Sequence, residues 1–203
     1  MVTHISLLGW LGYFITHPNV VVSRDVPVPR WPLSELGKKR MRAGLRQPWV
    51  RELTAIYCSD EQKAIDGAAI LAEHVGVAFE VVPELGENDR SASGFLPPDE
   101  FERVADQFFA NPETSIRGWE RAIDAQTRIV RAVEAIAERS KGTIALVSHG
   151  AVGSLLYCHL AGKPIDRRWD QPPSGGGNYF RFMLSPRKAD FWWRPFDQSE
   201  ETR

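Results

Sequence analysis

Two histidines in this chain stand where short apolar runs end. His17 follows Tyr13 to Thr16 and precedes Pro18; His149 follows IALV (144–147) and Ser148, and precedes Gly150. Near neutral pH an imidazole can serve as nucleophile, base or donor to an anion. A third run, AIYC at 55–58, ends in Ser59 and Asp60, with Lys63 one turn further on. Apolar runs of this length read as buried parallel strands, and ligands of open parallel sheets bind at the strands' carboxyl ends. The Ser148-His149-Gly150 step also opens an apolar helix, AVGSLL, whose free N–H groups and positive dipole end would attract an anion. Two histidines, a hydroxyl, a lysine and a helix terminus suit a phosphoryl group. His4, His74 and His159 read as ordinary surface or core residues, His74 late in a helix where a cation is mildly favoured. No third histidine or paired carboxylate stands at ligand spacing, so neither a metal nor any other cofactor is expected.

The elements that must position these groups follow from periodicity and punctuation. Ser34 is placed to cap a helix over ELGKKRMRAGL, with the Pro-rich stretch 26–32 before it. Residues 61–75 carry Ala64, Ala68, Leu71 and Val75 on one helical face, with Gly76 at the end. Residues 78–82 read as a strand, 83–98 as a long functional loop or lid, and 99–110 as a helix. Ile116, Trp119, Ile123, Val130, Val133 and Ala137 keep a 3–4 spacing that predicts one helix running to Gly142. A helix over 151–161 closes at Gly162. The glycines 175–177 form a turn before an edge strand, 179–184, and Phe191, Trp192 and Trp193 are read as one further strand. The expected fold is therefore α/β: a three-layer α/β/α sandwich with a mostly parallel central sheet, in a single domain over 1–203.

Composition narrows the function classes. The net charge is −1, with 25% charged and 43% apolar residues, so no global positive field exists to hold nucleic acid or an anionic membrane surface. ISLLGWLGYFI at 5–15 lacks a preceding cation, is too short for a bilayer span, and reads in its second half as a strand; residues 1–10 receive no assignment. Cys58 and Cys158 sit inside apolar runs as reduced core thiols, consistent with a cytoplasmic protein. No glycine fingerprint of a nucleotide-binding fold is present.

Four segments, in order along the chain, resemble motifs of the histidine phosphatase (phosphoglycerate mutase-like) superfamily. Trp31-Pro-Leu-Ser-Glu-Leu-Gly37 is similar to its P-L-T-E-L-G, and Cys58-Ser-Asp-Glu-Gln-Lys-Ala64 to its S-S-P-x-R-R-A. Leu85-Gly-Glu87 resembles its L-x-E, and Val147-Ser-His-Gly-Ala-Val-Gly153 its second histidine motif. The resemblance implies a phosphoglycerate mutase-like fold and metal-free hydrolysis of a small phosphorylated metabolite. It implies that His17 attacks phosphorus and becomes a phosphohistidine, that His149 and Lys63 hold the equatorial oxygens, and that Glu87, rather than Asp89, is the acid. The sequence departs from the pattern at Thr16-His17-Pro18, where the family has Arg-His-Gly, and at Lys63, where it has Arg. Arg24, Arg30 and Arg90 are the candidates to replace the missing phosphate grip. Two readings follow: a phosphatase with an altered grip, or a degenerate member that binds a phosphorylated ligand or a protein partner without turnover. A mutase has no feature that demands it. Phe95 and Leu96 are placed to touch an apolar group of the substrate. The aromatic tail is expected to pack on the domain, with a homo-oligomer contact as the alternative.

Overall fold

The computed structural model describes residues 10–198. His4 and the unassigned start of the chain lie outside them, apart from Trp10. Four parallel strands form the heart of one sheet: β1 (Leu11–Thr16), β2 (Leu53–Cys58), β3 (Phe79–Val81) and β4 (Thr143–Ser148). β5 (Asn178–Leu184), β6 (Arg187–Ala189) and β7 (Arg194–Pro195) extend it antiparallel. The order is β3-β2-β4-β1-β5-β6, with β7 also on β5.

Helices cover both faces. α1 (Glu35–Gly44) and α2 (Gln62–Val75) bury Met41, Ala64, Ala68 and Leu71 against Tyr13, Ile15, Ala145 and Val147. α3 (Pro98–Ala110), α4 (Ala122–Arg139) and α5 (Gly150–Leu160) bury Phe108, Ile129, Val133 and Leu155 against Phe14, Ile144 and Leu146. Alternate residues of one strand thus feed opposite cores, which is why β1 and β4 are apolar throughout rather than every second residue. The α/β/α architecture is the expected one.

Ser34 caps α1 as the sequence suggests, its Oγ accepting from Gly37 N at 3.1 Å, and Gly76 ends α2 with φ +78°. Three expectations fail. The helix assigned from Ile116 starts only at Ala122, because Arg117 (φ +51°) and Gly118 (φ +80°) turn the chain first. Trp119, freed from that helix, is buried and donates its indole N–H to Ser93 Oγ at 2.7 Å. The strand at 178–184 is interior, paired on one side with β1 and on the other with β6 and β7. Residues 191–193 are not a strand: they bridge β6 and β7, with Trp193 packed edge-on to Phe14 and Phe180.

Candidate active site

Register explains how distant residues converge. Thr16 pairs with Ser148 across β1 and β4, and Cys58 with Val147 across β2 and β4. The residues that follow (His17, His149 and Ser59) therefore leave three adjacent strands at one end of the sheet. The two imidazoles stand 5.2 Å apart between centroids, tilted by 66°.

His17 Nδ1 lies 3.0 Å from the Pro18 carbonyl. A carbonyl only accepts, so Nδ1 carries the proton and Nε2 keeps its lone pair. Proline at 18 removes an N–H but still supplies this oxygen. Burial, opposed by the Pro18 bond and reinforced by Lys63, brings the His17 pKa down to about 4, so the ring is neutral at pH 7. His149 is fully buried, and desolvation holds it well below the usual histidine range despite Glu61. Its Nε2 meets Ser59 Oγ at 2.7 Å. Ser59 Oγ also accepts from Glu61 N at 3.3 Å. Nδ1 of His149 is buried and has no hydrogen-bond partner. One ring thus keeps a free lone pair and the other an unpartnered nitrogen, on imidazoles whose centroids are 5.2 Å apart.

The cations are distributed differently from expectation. Lys63 is buried, its ammonium bound to the Glu61 carboxylate and to Val28 O at 2.9 Å, so its charge is already balanced. Glu61, which no motif singled out, also lies 3.4 Å from His149 Nε2 and accepts from Glu87 N. Thr16 does not reach toward a ligand: its hydroxyl is spent on Gln171 and Asn178. Of the three candidate arginines, Arg90 approaches Glu87 at 3.9 Å and stacks on Phe101 and Trp119. Arg24 stands at the mouth of the cleft over Phe95. Arg30 is exposed and lines no part of the cleft.

Glu87 sits where the phosphoryl group was expected. Its carboxylate accepts from Ala151 N (3.2 Å) and Val152 N (3.1 Å), filling the N-terminus of α5, and from its own neighbour Asn88 N. Any phosphate must lie to the side of that terminus. Arg128 fixes the loop in this position, donating to the carbonyls of Glu84, Gly86 and Glu87 and to the Glu120 carboxylate. Asp89 is turned to Ser91 N and away from the histidines. Sequence reading missed Glu61, Arg128 and Gln171: Glu61 stands at the variable position of its motif, the other two lie outside every motif, and each acts through a tertiary contact.

The glycine run at 175–177 is more than a connection. All three have φ between +70° and +75°, and Gly177 N donates to His17 O at 3.2 Å. A Cβ on Gly176 would come within 2.1 Å of that same carbonyl. Gly176→Ala is therefore expected to cost at least about 1–3 kcal/mol through strain alone and to displace His17. Thermal unfolding would show the first effect, and turnover per folded molecule the second.

A cleft of about 1130 Å³ adjoins the histidines, walled by Trp31, Phe95, Phe101, Trp119, Glu61 and Glu87, with the histidines themselves off its wall. Loop 86–98 supplies much of that wall, as its length suggested. Among the described residues no helix is long and apolar enough to cross a membrane.

Comparison with known proteins agrees with this architecture. The structure is similar to a mycobacterial glucosyl-3-phosphoglycerate phosphatase at 21% identity and TM-score 0.72, covering 90% of this chain and 98% of the other. It is similar to YhfR of Bacillus stearothermophilus at 26% identity and TM-score 0.74, covering 89% and 94%. A third similar structure, at 18% identity and TM-score 0.67, is a putative alpha-ribazole-5'-P phosphatase from Escherichia coli, with 92% and 95% covered. A search of curated proteins finds no match. The family model described as histidine phosphatase superfamily (branch 1) matches residues 23–177, three quarters of the chain, taking in β2, β3, β4 and His149 while β1 and His17 precede the matched stretch, and the chain therefore belongs to that superfamily.

Proposed function

We propose that the protein is a phosphatase that hydrolyses a small phosphorylated metabolite, without a metal, through a phosphohistidine on His17. The observation that carries this reading is the pair of rings: Nε2 of a neutral His17 is free to attack, and the buried Nδ1 of the neighbouring His149 has no partner within the protein. In-line attack forms the Nε2–P bond as the ester P–O bond breaks, and the leaving group departs as its anion and takes its proton from solvent. His149 donates to an equatorial oxygen, where charge gathers in the transition state, and Arg90 adds a nearby positive charge. Glu87, surrounded by N–H donors, is arranged as a carboxylate. That suits the second half-reaction, in which it takes the proton of the water that attacks the phosphohistidine, better than the acid role in the first. Esters with good leaving groups should accordingly turn over faster than simple alkyl phosphates. The alcohol portion would occupy the aromatic cleft, near Phe95 and Leu96. Two buried free thiols, Cys58 and Cys158, fit a cytoplasmic setting.

A second reading has its own support. Thr16 and Lys63, at the two positions that match family arginines, are both committed to internal bonds. A site so depleted could bind a phosphorylated ligand, small molecule or protein, without turning it over. Hydrolysis of p-nitrophenyl phosphate in EDTA separates the two. Turnover that survives EDTA and disappears in His17→Ala is the expected result. Equal inactivity of both proteins across a panel of phosphate esters would leave the binding reading in place.

A further inference from the structure

We infer that Gln171 is a catalytic residue of this site, its side-chain amide gripping the phosphoryl oxygen that an arginine at position 16 would have held. The inference rests on the phosphatase reading above. Gln171 lies between α5 and β5, outside every segment that the motifs cover. Its Oε1 accepts from Thr16 Oγ1 at 2.8 Å and from Asn178 Nδ2 at 3.0 Å. Two donors on one amide atom identify that atom as the oxygen, so the NH₂ faces the other way. Of the two acceptors within reach of the Thr16 proton, Gln171 Oε1 at 2.8 Å is closer than Asn178 O at 3.2 Å, and the Thr16 oxygen itself accepts from Asn178 N at 3.0 Å. Asp170 fixes the backbone from the opposite side: its Oδ1 accepts from Gln171 N and from the Ser154 hydroxyl of α5, each at 2.7 Å.

The NH₂ so oriented lies over the first turn of α5. A Cβ on Gly150 would come within 2.4 Å of Nε2. Thr16 immediately precedes His17, and Gly150 immediately follows His149. The carboxamide thus spans the two strand ends that carry the histidines, and among the described residues Nε2 has no acceptor. Its geometry is fixed before a ligand arrives, which is what makes a donor effective toward transition-state charge. Thr16 is then part of the grip at one remove: too short to reach a phosphoryl oxygen, it orients the amide that does.

The test is phosphate binding and turnover in parallel. Inorganic phosphate is titrated calorimetrically into wild type, Gln171→Ala and Gln171→Glu, with p-nitrophenyl phosphate kinetics and thermal midpoints on the same samples. The glutamate keeps an oxygen for Thr16 and Asn178 but replaces the NH₂ with a second carboxylate oxygen, so it decides the matter if the alanine variant unfolds. Expected are phosphate binding weakened at least about 10-fold and kcat/KM lowered about 10²-fold in Gln171→Ala, the scale of one preorganised donor, and no measurable binding in Gln171→Glu. Gly150→Ala, which pushes the amide away without altering it, should lose affinity in the same direction. If folded Gln171 variants bind phosphate as tightly as wild type while wild-type turnover still depends on His17, this inference is wrong and the phosphatase reading stands. If wild type neither binds phosphate nor hydrolyses any ester, both fall.

Discussion

Lys63→Met should lower the free energy of unfolding by about 3–5 kcal/mol, the cost of leaving a buried charge without its partner. Lys63 is 3% exposed and Glu61 is 7% exposed, so water cannot take over for either. Burial opposes ionisation of Glu61. A proton on His149 would attract it, and Lys63, through its charge and its hydrogen bond, and the Glu87 N–H hold it down as well; the Glu61 pKa comes to about 2. Methionine keeps the volume of the lysine stem but supplies no charge, so the carboxylate must remain buried alone or take up a proton. Urea denaturation at pH 7 measures the loss. The double variant Lys63→Met/Glu61→Leu should recover most of it, because an apolar pair of similar volume often replaces a buried ion pair at little cost. That recovery is the sharper readout, since a mere packing defect at two neighbouring sites would not cancel. Failure to recover would mean that Glu61 stabilises the protein mainly through its bonds to His149 and Glu87.

The second large effect is a loss of stability in mild acid. An unfolded histidine takes up its proton near pH 6.5, while folded His17 resists until about pH 4. Within that window the unfolded chain binds more protons, so stability falls as pH falls and levels off below pH 4. For a half-buried ring the loss is about 2–3 kcal/mol from this group, and His149, lowered in the same direction, adds to it. Glu61 acts in the next window. Its folded pKa near 2 lies below the ordinary 4.5, so its stabilisation is complete above 4.5 and drains away as pH falls toward 2. Thermal midpoints of wild type between pH 7 and 4 should show the slope, and His17→Asn should flatten it in part. A midpoint independent of pH over that range would mean that solvent reaches the histidines and that neither is held neutral by burial. Activity should follow the same group. Once corrected for ionisation of the substrate, kcat/KM should hold well below pH 6.5 and fail only near pH 4, where the nucleophile is protonated.

The histidine pair was legible because each ring sits directly after an apolar strand, and a parallel sheet can align such strand ends in only one crevice. Ser34, Gly76 and the α2 face were legible for a related reason: caps and helical periodicity are local. The helix expected from Ile116 failed because spacing records apolar positions but not the left-handed turn at Arg117 and Gly118 that redirects Trp119 into the cleft wall. The strand at 179–184 reads as an edge in the sequence because its neighbours, β6 and β7, are only three and two residues long and carry almost no pattern of their own.

The sequence by itself determined the α/β class, the family and the convergence of His17, His149 and Ser59, since strand order, period and motif are written in consecutive residues. The tertiary structure alone decided which charges are free. That Lys63 is balanced by Glu61, that Glu87 fills the helix terminus, that Thr16 serves Gln171, and that Arg90 rather than Arg30 faces the site all depend on contacts across 2 to 155 positions of chain. The physical reason is that a side chain's charge acts through its nearest partners in space. Lys63 and Glu61 stand only two residues apart, yet their pairing depends on both side chains being buried together, away from water, which no sequence interval reports.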